Sequence, residues 1–97
     1  MTFPNQKSIQ FVSFAGVAME ARRIEQGDTY GLGVKHNSSP VIEFNLASGY
    51  MISRYYLSTL KNRGDNREFT GLCLDGADDR YNLAYADLAF VLRAIGY

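Results

Sequence analysis

The chain holds one cysteine, Cys73, and one histidine, His36, and these are the first residues to test for chemistry. A thiol nucleophile needs a base to take its proton and a third group to orient that base. The flanks of Cys73, Leu72 and Leu74, place it in an apolar strand, where a free thiol serves as a small core residue. A structural thiol is therefore expected. A zinc site asks for three or four Cys, His or carboxylate ligands, and one Cys with one His falls short. Asp75, Asp78 and Asp79 cluster, but their spacing is not that of a calcium loop. They read as a polar turn followed by helix-capping acids, whose charge suits a helix N-terminus. Gly31-Leu32-Gly33 is a fragment of a phosphate-cradling loop, without the third glycine or the helix that such a loop opens. Glu20, Glu25 and Glu43 read as solvated strand and turn positions, and their spacing pairs no acid with a base. No catalytic residue, metal ligand or cofactor-binding residue is assigned, and the chain reads as a non-enzyme. A small-ligand binder or enzyme with a site near Cys73 and His36 is the alternative. It predicts a thiol of depressed pKa and rapid alkylation.

Two features point to surfaces instead. Arg54, Tyr55, Tyr56, Lys61, Arg63 and Arg67 interleave cations with aromatics, a pattern that holds phosphates and stacks bases. Asp65 and Glu68 dilute it, and cations at a helix C-terminus are favourable for the helix dipole alone. Arg63-Gly64-Asp65, a triplet also met in integrin ligands, reads as the turn after that helix. The second feature is seven Tyr with no Trp. Tyr is enriched at interface cores because it buries area and keeps a polar handle. Tyr30, Tyr50, Tyr81 and Tyr97 are surplus to the apolar pattern. The expected partner-binding residues are Tyr50, Arg54, Lys61, Arg63 and Arg67.

The elements that must position these residues follow from periodicity. Residues 1 to 7 are a polar lead, broken by Pro4. Ile9 to Phe14 is rich in β-branched and aromatic residues. Val17 to Ile24 alternates, with Val17, Met19 and Ala21 on one side and Ala18, Glu20 and Arg22 on the other. After a turn at Gln26-Gly27-Asp28, Thr29 to Lys35 reads as a third strand, weakened by Gly31 and Gly33. His36 to Pro40 is a turn. Val41 to Leu46 is the clearest strand, with Ile42, Phe44 and Leu46 facing one way and Glu43 and Asn45 the other. Ile52, Tyr55, Tyr56, Thr59 and Leu60 fall on a helical stripe. Ser48 is the expected N-cap of that helix, Lys61 and Arg63 its last turn, and Gly64 its left-handed stop. A strand is the competing reading of the same stretch. Phe69 to Leu74 reads as a further strand. Tyr81, Tyr85, Leu88, Val91, Leu92 and Ile95 describe a second helix, capped by Asp78, Asp79 or Asn82 and stopped by Gly96.

The order β-β-β-β-α-β-α predicts an α+β fold: an antiparallel sheet of four to five strands with two helices on one face. A right-handed crossover through the first helix follows if the flanking strands are parallel. One domain is expected over residues 1–97, since this length leaves no room for a second core. The hydrophobic fraction of 46% and charged fraction of 21% exclude a disordered chain. Ten basic residues against ten acidic give zero formal charge, which argues against a dedicated nucleic-acid binder and mildly favours self-association. A single cysteine excludes an intrachain disulfide. Met1 to Ser8 lacks the basic-then-apolar pattern of a secretory signal, and no apolar run approaches a membrane span of about 20 residues. A cytoplasmic protein without a membrane is expected, and the sequon-like Asn37-Ser38-Ser39 is read as chance. These traits suggest a small protein-binding module that inhibits or regulates a larger protein or ribonucleoprotein complex, with homo-oligomerisation a further option. Phage and other mobile-element inhibitors, anti-CRISPR proteins for example, are short chains of this kind. A nucleic-acid-associated regulator using residues 54–67 is the second alternative.

Overall fold

The computed structural model describes residues 7–29, 33–64, 72–74 and 79–97, with only the backbone of Leu72–Leu74 and Asp79. The strands are β1 (Lys7–Val12), β2 (Ala18–Ile24), β3 (Val41–Leu46) and β4 (Met51–Tyr56), followed by helix α1 (Leu57–Gly64). A short pair, β5 (Leu72–Leu74) and β6 (Leu83–Ala84), precedes helix α2 (Tyr85–Val91), which runs on as π-helical turns over Leu92–Gly96. The first four strands form one antiparallel sheet in sequence order. The predicted α+β fold and its element order are present.

Turn chemistry explains the meander. Between β1 and β2, the Ser13 N–H donates to Val17 O at 2.9 Å, and Ser13 Oγ accepts from the Val17 N–H at 3.2 Å. Between β3 and β4 the Leu46 N–H donates to Tyr50 O at 2.8 Å across Ala47-Ser48-Gly49. Gly49 sits at φ +95, a region that L side chains avoid.

That hairpin corrects the helix expected from Ser48. Residues 51–56 are strand, the helix starts at Leu57, and Ser48 is a turn residue rather than an N-cap. The cause is a β-bulge. Phe44 pairs with Ser53 and Asn45 with Met51, so Ile52 is the extra residue. The bulge lets Ile52 join Tyr55 against the core. Two core residues three apart in a bulged strand look like helical spacing. Gly64 is also corrected. It is not a positive-φ stop; a Cβ there would run into Leu92 Cδ1, so its smallness admits the close approach of α1 to the last helical turns.

Of the strand expected over Thr29 to Lys35, residues 30–32 lie outside the described residues, and the described ones join no strand of the main sheet. β2 pairs directly with β3, from Ile24 with Val41 to Met19 with Leu46, and the segment between them is an excursion. Its neck is closed by the Thr29–Lys35 bridge and by the His36 N–H donating to Asp28 O at 2.7 Å. Of the further predicted strand, Leu72–Leu74 is present; it pairs antiparallel with β6 in a separate two-stranded sheet, so there is no β-α-β crossover to the main sheet. Tyr81 belongs to a short 3-10 turn, and α2 begins only at Tyr85.

The core lies between the sheet and the helices. Met19, Ala21, Ile42 and Phe44 from one sheet face pack with Leu57 and Leu60 of α1 and Leu88, Val91, Leu92 and Ile95 of the last helix. Two polar ties lock this layer. Asp87 accepts the Phe14 N–H at 3.0 Å and the Ala84 N–H at 2.9 Å, joining the first hairpin to the start of α2. Arg23, ion-paired with Glu25, donates from Nη1 to Ile95 O at 2.9 Å and so holds the end of the last helix.

Candidate functional site

Strand alternation puts the remaining residues on the sheet face away from the helices. Ser8, Arg22, Glu43 and Arg54 form one cross-strand row, and Gln10, Glu20, Asn45 and Met51 form the next. The first row alternates in sign, plus, minus, plus, from β2 to β4, as opposite charges on neighbouring strands favour. Its centre is less settled. Asn45 is only 5% exposed, yet its Oδ1 has no hydrogen-bond partner among the described residues, nor has the buried Arg22 Nε. Buried polar atoms of this kind are uncommon and call for an explanation.

The open face ends at β4. Among the described residues no strand pairs with its outer edge, and β4 holds neither Lys nor Pro, the usual residues that blunt an edge. Along it stand Tyr50, 71% exposed, Met51 at 49% and Tyr56 at 50%, with exposed Arg54 between them. Beside them lies a recess of about 290 Å³ lined by His36, Val41, Arg54 and Tyr56. The β2–β3 excursion builds its far wall. His36 is buried there and its Nε2–H donates to Ser39 O at 2.8 Å, since a carbonyl can only accept. Ser38 Oγ donates to the Tyr56 hydroxyl at 3.3 Å. A second groove of about 310 Å³ runs past Gln10, Val12, Ala18, Glu20 and Ala47 at the hairpin end of the same sheet.

The expected partner-binding residues are thus divided. Tyr50 and Arg54 share the β3–β4 hairpin. Lys61 and Arg63 lie on α1, beyond the far end of β4, which is roughly 17–20 Å long at its strand rise. Lys61 Nζ stands 4.9 Å over the Tyr97 ring, so it serves a contact between chain segments. Arg67 lies outside the described residues, as do Tyr30, Gly31, Leu32, Asp65, Glu68, Asp75 and Asp78. The basic-aromatic segment does not form one strip. Tyr55 turns to the core, with its ring edge-on to Phe44 at 6.4 Å, while Tyr56 faces out. Met51 was not singled out for binding from the sequence, and Tyr56 only within the basic-aromatic segment; a strand over 51–56 places Arg54 and Tyr56 on one side, and the bulge at Ile52 brings Met51 to that side.

His36 sits in the β2–β3 excursion and Cys73 on β5. Among the described residues no three His, Cys, Asp or Glu gather as a metal group. No helix is long and apolar enough to cross a membrane. Comparison with protein-family models, curated proteins and solved structures returns no match.

Proposed function

We propose that this chain is a non-enzymatic protein-binding module, an inhibitor or regulator that acts by occupying a surface of a larger protein complex, and that β4 and its turn make the contact. One observation carries the reading. Tyr50, Met51, Arg54 and Tyr56 stand exposed together along a sheet edge that nothing described covers. Tyr, Met and Arg are the types that interface cores favour, and Tyr and Arg dominate binding energy when they anchor a partner. An unpaired edge also offers a row of backbone groups to an incoming strand. Phe14, tied through its N–H to Asp87 at the start of α2, and Phe90 are exposed aromatics too and offer a rival apolar spot. It lacks polar handles, and Phe90 already packs on Phe11 at 6.1 Å between ring centres.

The test is affinity capture from bacterial lysate with tagged protein, with and without nuclease, washed at low and high salt and read by mass spectrometry. A stoichiometric protein partner that survives nuclease and salt, and is lost with Tyr50→Ala and Met51→Ala but kept with Phe14→Ser, supports the β4 surface. Loss only with Phe14→Ser moves the contact to the rival spot. Recovery that vanishes with nuclease sinks the protein-binding reading.

A further inference from the structure

We infer that the chain forms a two-fold dimer through the hairpin end of its open sheet face, with Met51 of each copy seated in a groove of the other. The inference goes beyond the partner contact proposed above and does not rest on it, although Met51 serves both. It begins in the sequence. No charged residue occurs over 12–19 or over 45–53, and these stretches make the β1–β2 and β3–β4 hairpin ends. The Ala47 N–H donates to Ala18 O at 3.2 Å, so the two ends lie side by side. Alternation turns Val12 and Ala18, a cross-strand pair, to the open face. Val12 is 68% exposed, Met51 is half-exposed, and Ala18 and Ala47 are exposed. At the other end of the same face Ile24 and Val41, also a cross-strand pair, are buried. The strand residues that leave aliphatic surface open on this face are therefore those of the hairpin end, and open apolar ground of that kind marks an interaction site.

The groove at this end, about 310 Å³, has Val12, Ala18 and Ala47 as apolar walls and Gln10 and Glu20 beside them. A cavity of about 150 Å³ already takes a benzene, so the small walls leave room for a long apolar side chain. Methionine, unbranched and flexible, fills irregular gaps of this kind. Met51 stands in the same cross-strand row as Gln10 and Glu20, but on β4, at the opposite edge of the sheet. Two to three strand spacings of about 4.8 Å keep it out of its own groove. A two-fold axis along the strands, between two such faces, reverses the strand order. It lays β4 of one copy over β1 and β2 of the other and keeps both hairpin ends together. Stacked faces lie about 10 Å apart with their side chains interdigitated, so each Met51 points into the groove of the second copy. The knob and the hole thus belong to one surface, which is what a self-complementary two-fold contact requires. The same rotation sets β2 over β3, so Glu20 meets the neutral amide of Asn45 and no like charges face each other at this end. Zero formal net charge leaves little repulsion between copies.

Sedimentation velocity of the full chain, from micromolar to millimolar concentration, tests the inference. A contact confined to one end of a sheet is small and belongs to the weak, concentration-dependent class, so a reversible monomer–dimer equilibrium is expected within that range. Ala18→Lys fills the groove, and Met51→Glu brings a carboxylate to Glu20 of the second copy. Each variant alone is expected to stay monomeric, with its circular dichroism unchanged, because both side chains are exposed in the single chain. Mixing the two variants in equal amounts pairs the introduced lysine with the introduced glutamate at one contact and leaves the parent contact at the other. The dimer should therefore return. Tyr56→Ala, at the far end of β4, should dimerise like the parent. A parent that is monomeric throughout, single variants as dimeric as the parent, or a mixture that stays monomeric would overturn the inference. So would a dimer lost with Tyr56→Ala and kept with Ala18→Lys, which moves the contact to the β4 edge. Partner capture separates this outcome from the β4 reading. If the parent is monomeric while Tyr50→Ala and Met51→Ala still lose the partner, the β4 surface stands and the dimer falls. If Ala18→Lys abolishes the dimer and no partner is captured by any form, the dimer stands and the β4 reading falls.

Discussion

The two faces of the main sheet come from the same strands and differ in every alternate residue. On one, Met19, Ala21, Ile42 and Phe44 are buried under the helices. On the other, Glu20, Arg22, Glu43 and Arg54 alternate in sign and Tyr56 stands exposed. The difference separates two kinds of information in one strand. Residues of the covered face are held by packing, so their substitution reads out as stability. The charged residues of the open face lie outside the core cluster, so their substitution reads out as binding. β3 carries both kinds side by side: Phe44 points into the core and Glu43, its neighbour, points away.

The sharpest way to break this comparison is to truncate those two neighbours. Phe44→Ala is expected to cost about 3–5 kcal/mol, the range for deleting a buried aromatic side chain. Glu43→Ala should stay within about 0.5 kcal/mol, as surface changes usually do. Urea unfolding with unchanged m-values measures both. If Glu43→Ala costs as much as Phe44→Ala, the outward face is covered and the site reading fails with it.

Much of this two-sided pattern was legible in the sequence. The alternation of Ile42, Phe44 and Leu46 against Glu43 and Asn45 predicts β3 and its faces, and Met19 and Ala21 do the same for β2. The place of Leu60 in a helix, with Lys61 and Arg63 in the last turn, was legible too. The start of α1 was not. Period-two reading assumes an unbroken strand, and the bulge at Ile52 breaks it. The turn before β4 held the corrective signal: Ser48-Gly49 directly after a clear strand favours a hairpin, because Gly49 can take the positive φ such a turn needs. Thr29 to Lys35 shows the converse limit. Its local composition allows a strand, but β3 already occupies the edge of β2, and pairing partners are a property of the whole chain. For the same reason, five candidate residues close in sequence do not make one site. The end of β4 sends Tyr50 and Arg54 to one region and Lys61 to another.

Two buried polar side chains sharpen the comparison further. Asp87 belongs to the covered layer and is satisfied, accepting from the Phe14 and Ala84 N–H groups. Asp87→Ala strands both donors and unties the first hairpin from α2. The expected cost is about 2–3 kcal/mol, since bonds to a charged acceptor and unmet buried donors are each worth more than a neutral surface contact. Hydrogen exchange should show the loss first at the Phe14 and Ala84 amides. A variant as stable as the parent, with those amides still protected, would mean that the tie carries no load.

Asn45 is the counterpart on the open face, and its expected effect is the smallest and of opposite sign. It is as buried as Asp87, but its Oδ1 has no partner among the described residues. Holding that oxygen away from water costs free energy, and a residue that removes it without opening a cavity removes the cost. Asn45→Val fits a central strand by its branched side chain, so stability should be unchanged or rise by about 0.5–1 kcal/mol. Partner capture is read in parallel, because Asn45 sits in the same cross-strand row as Met51 on the proposed contact face. The two readouts decide together. Higher stability with weaker capture would mark Asn45 as kept for binding at the expense of folding, as functional sites often are. Lower stability by more than about 1 kcal/mol would mean that the Asn45 amide serves the fold after all, through its remaining polar atoms. In that case the open face would be built for structure at its centre, and only the β4 rim would be left to carry recognition.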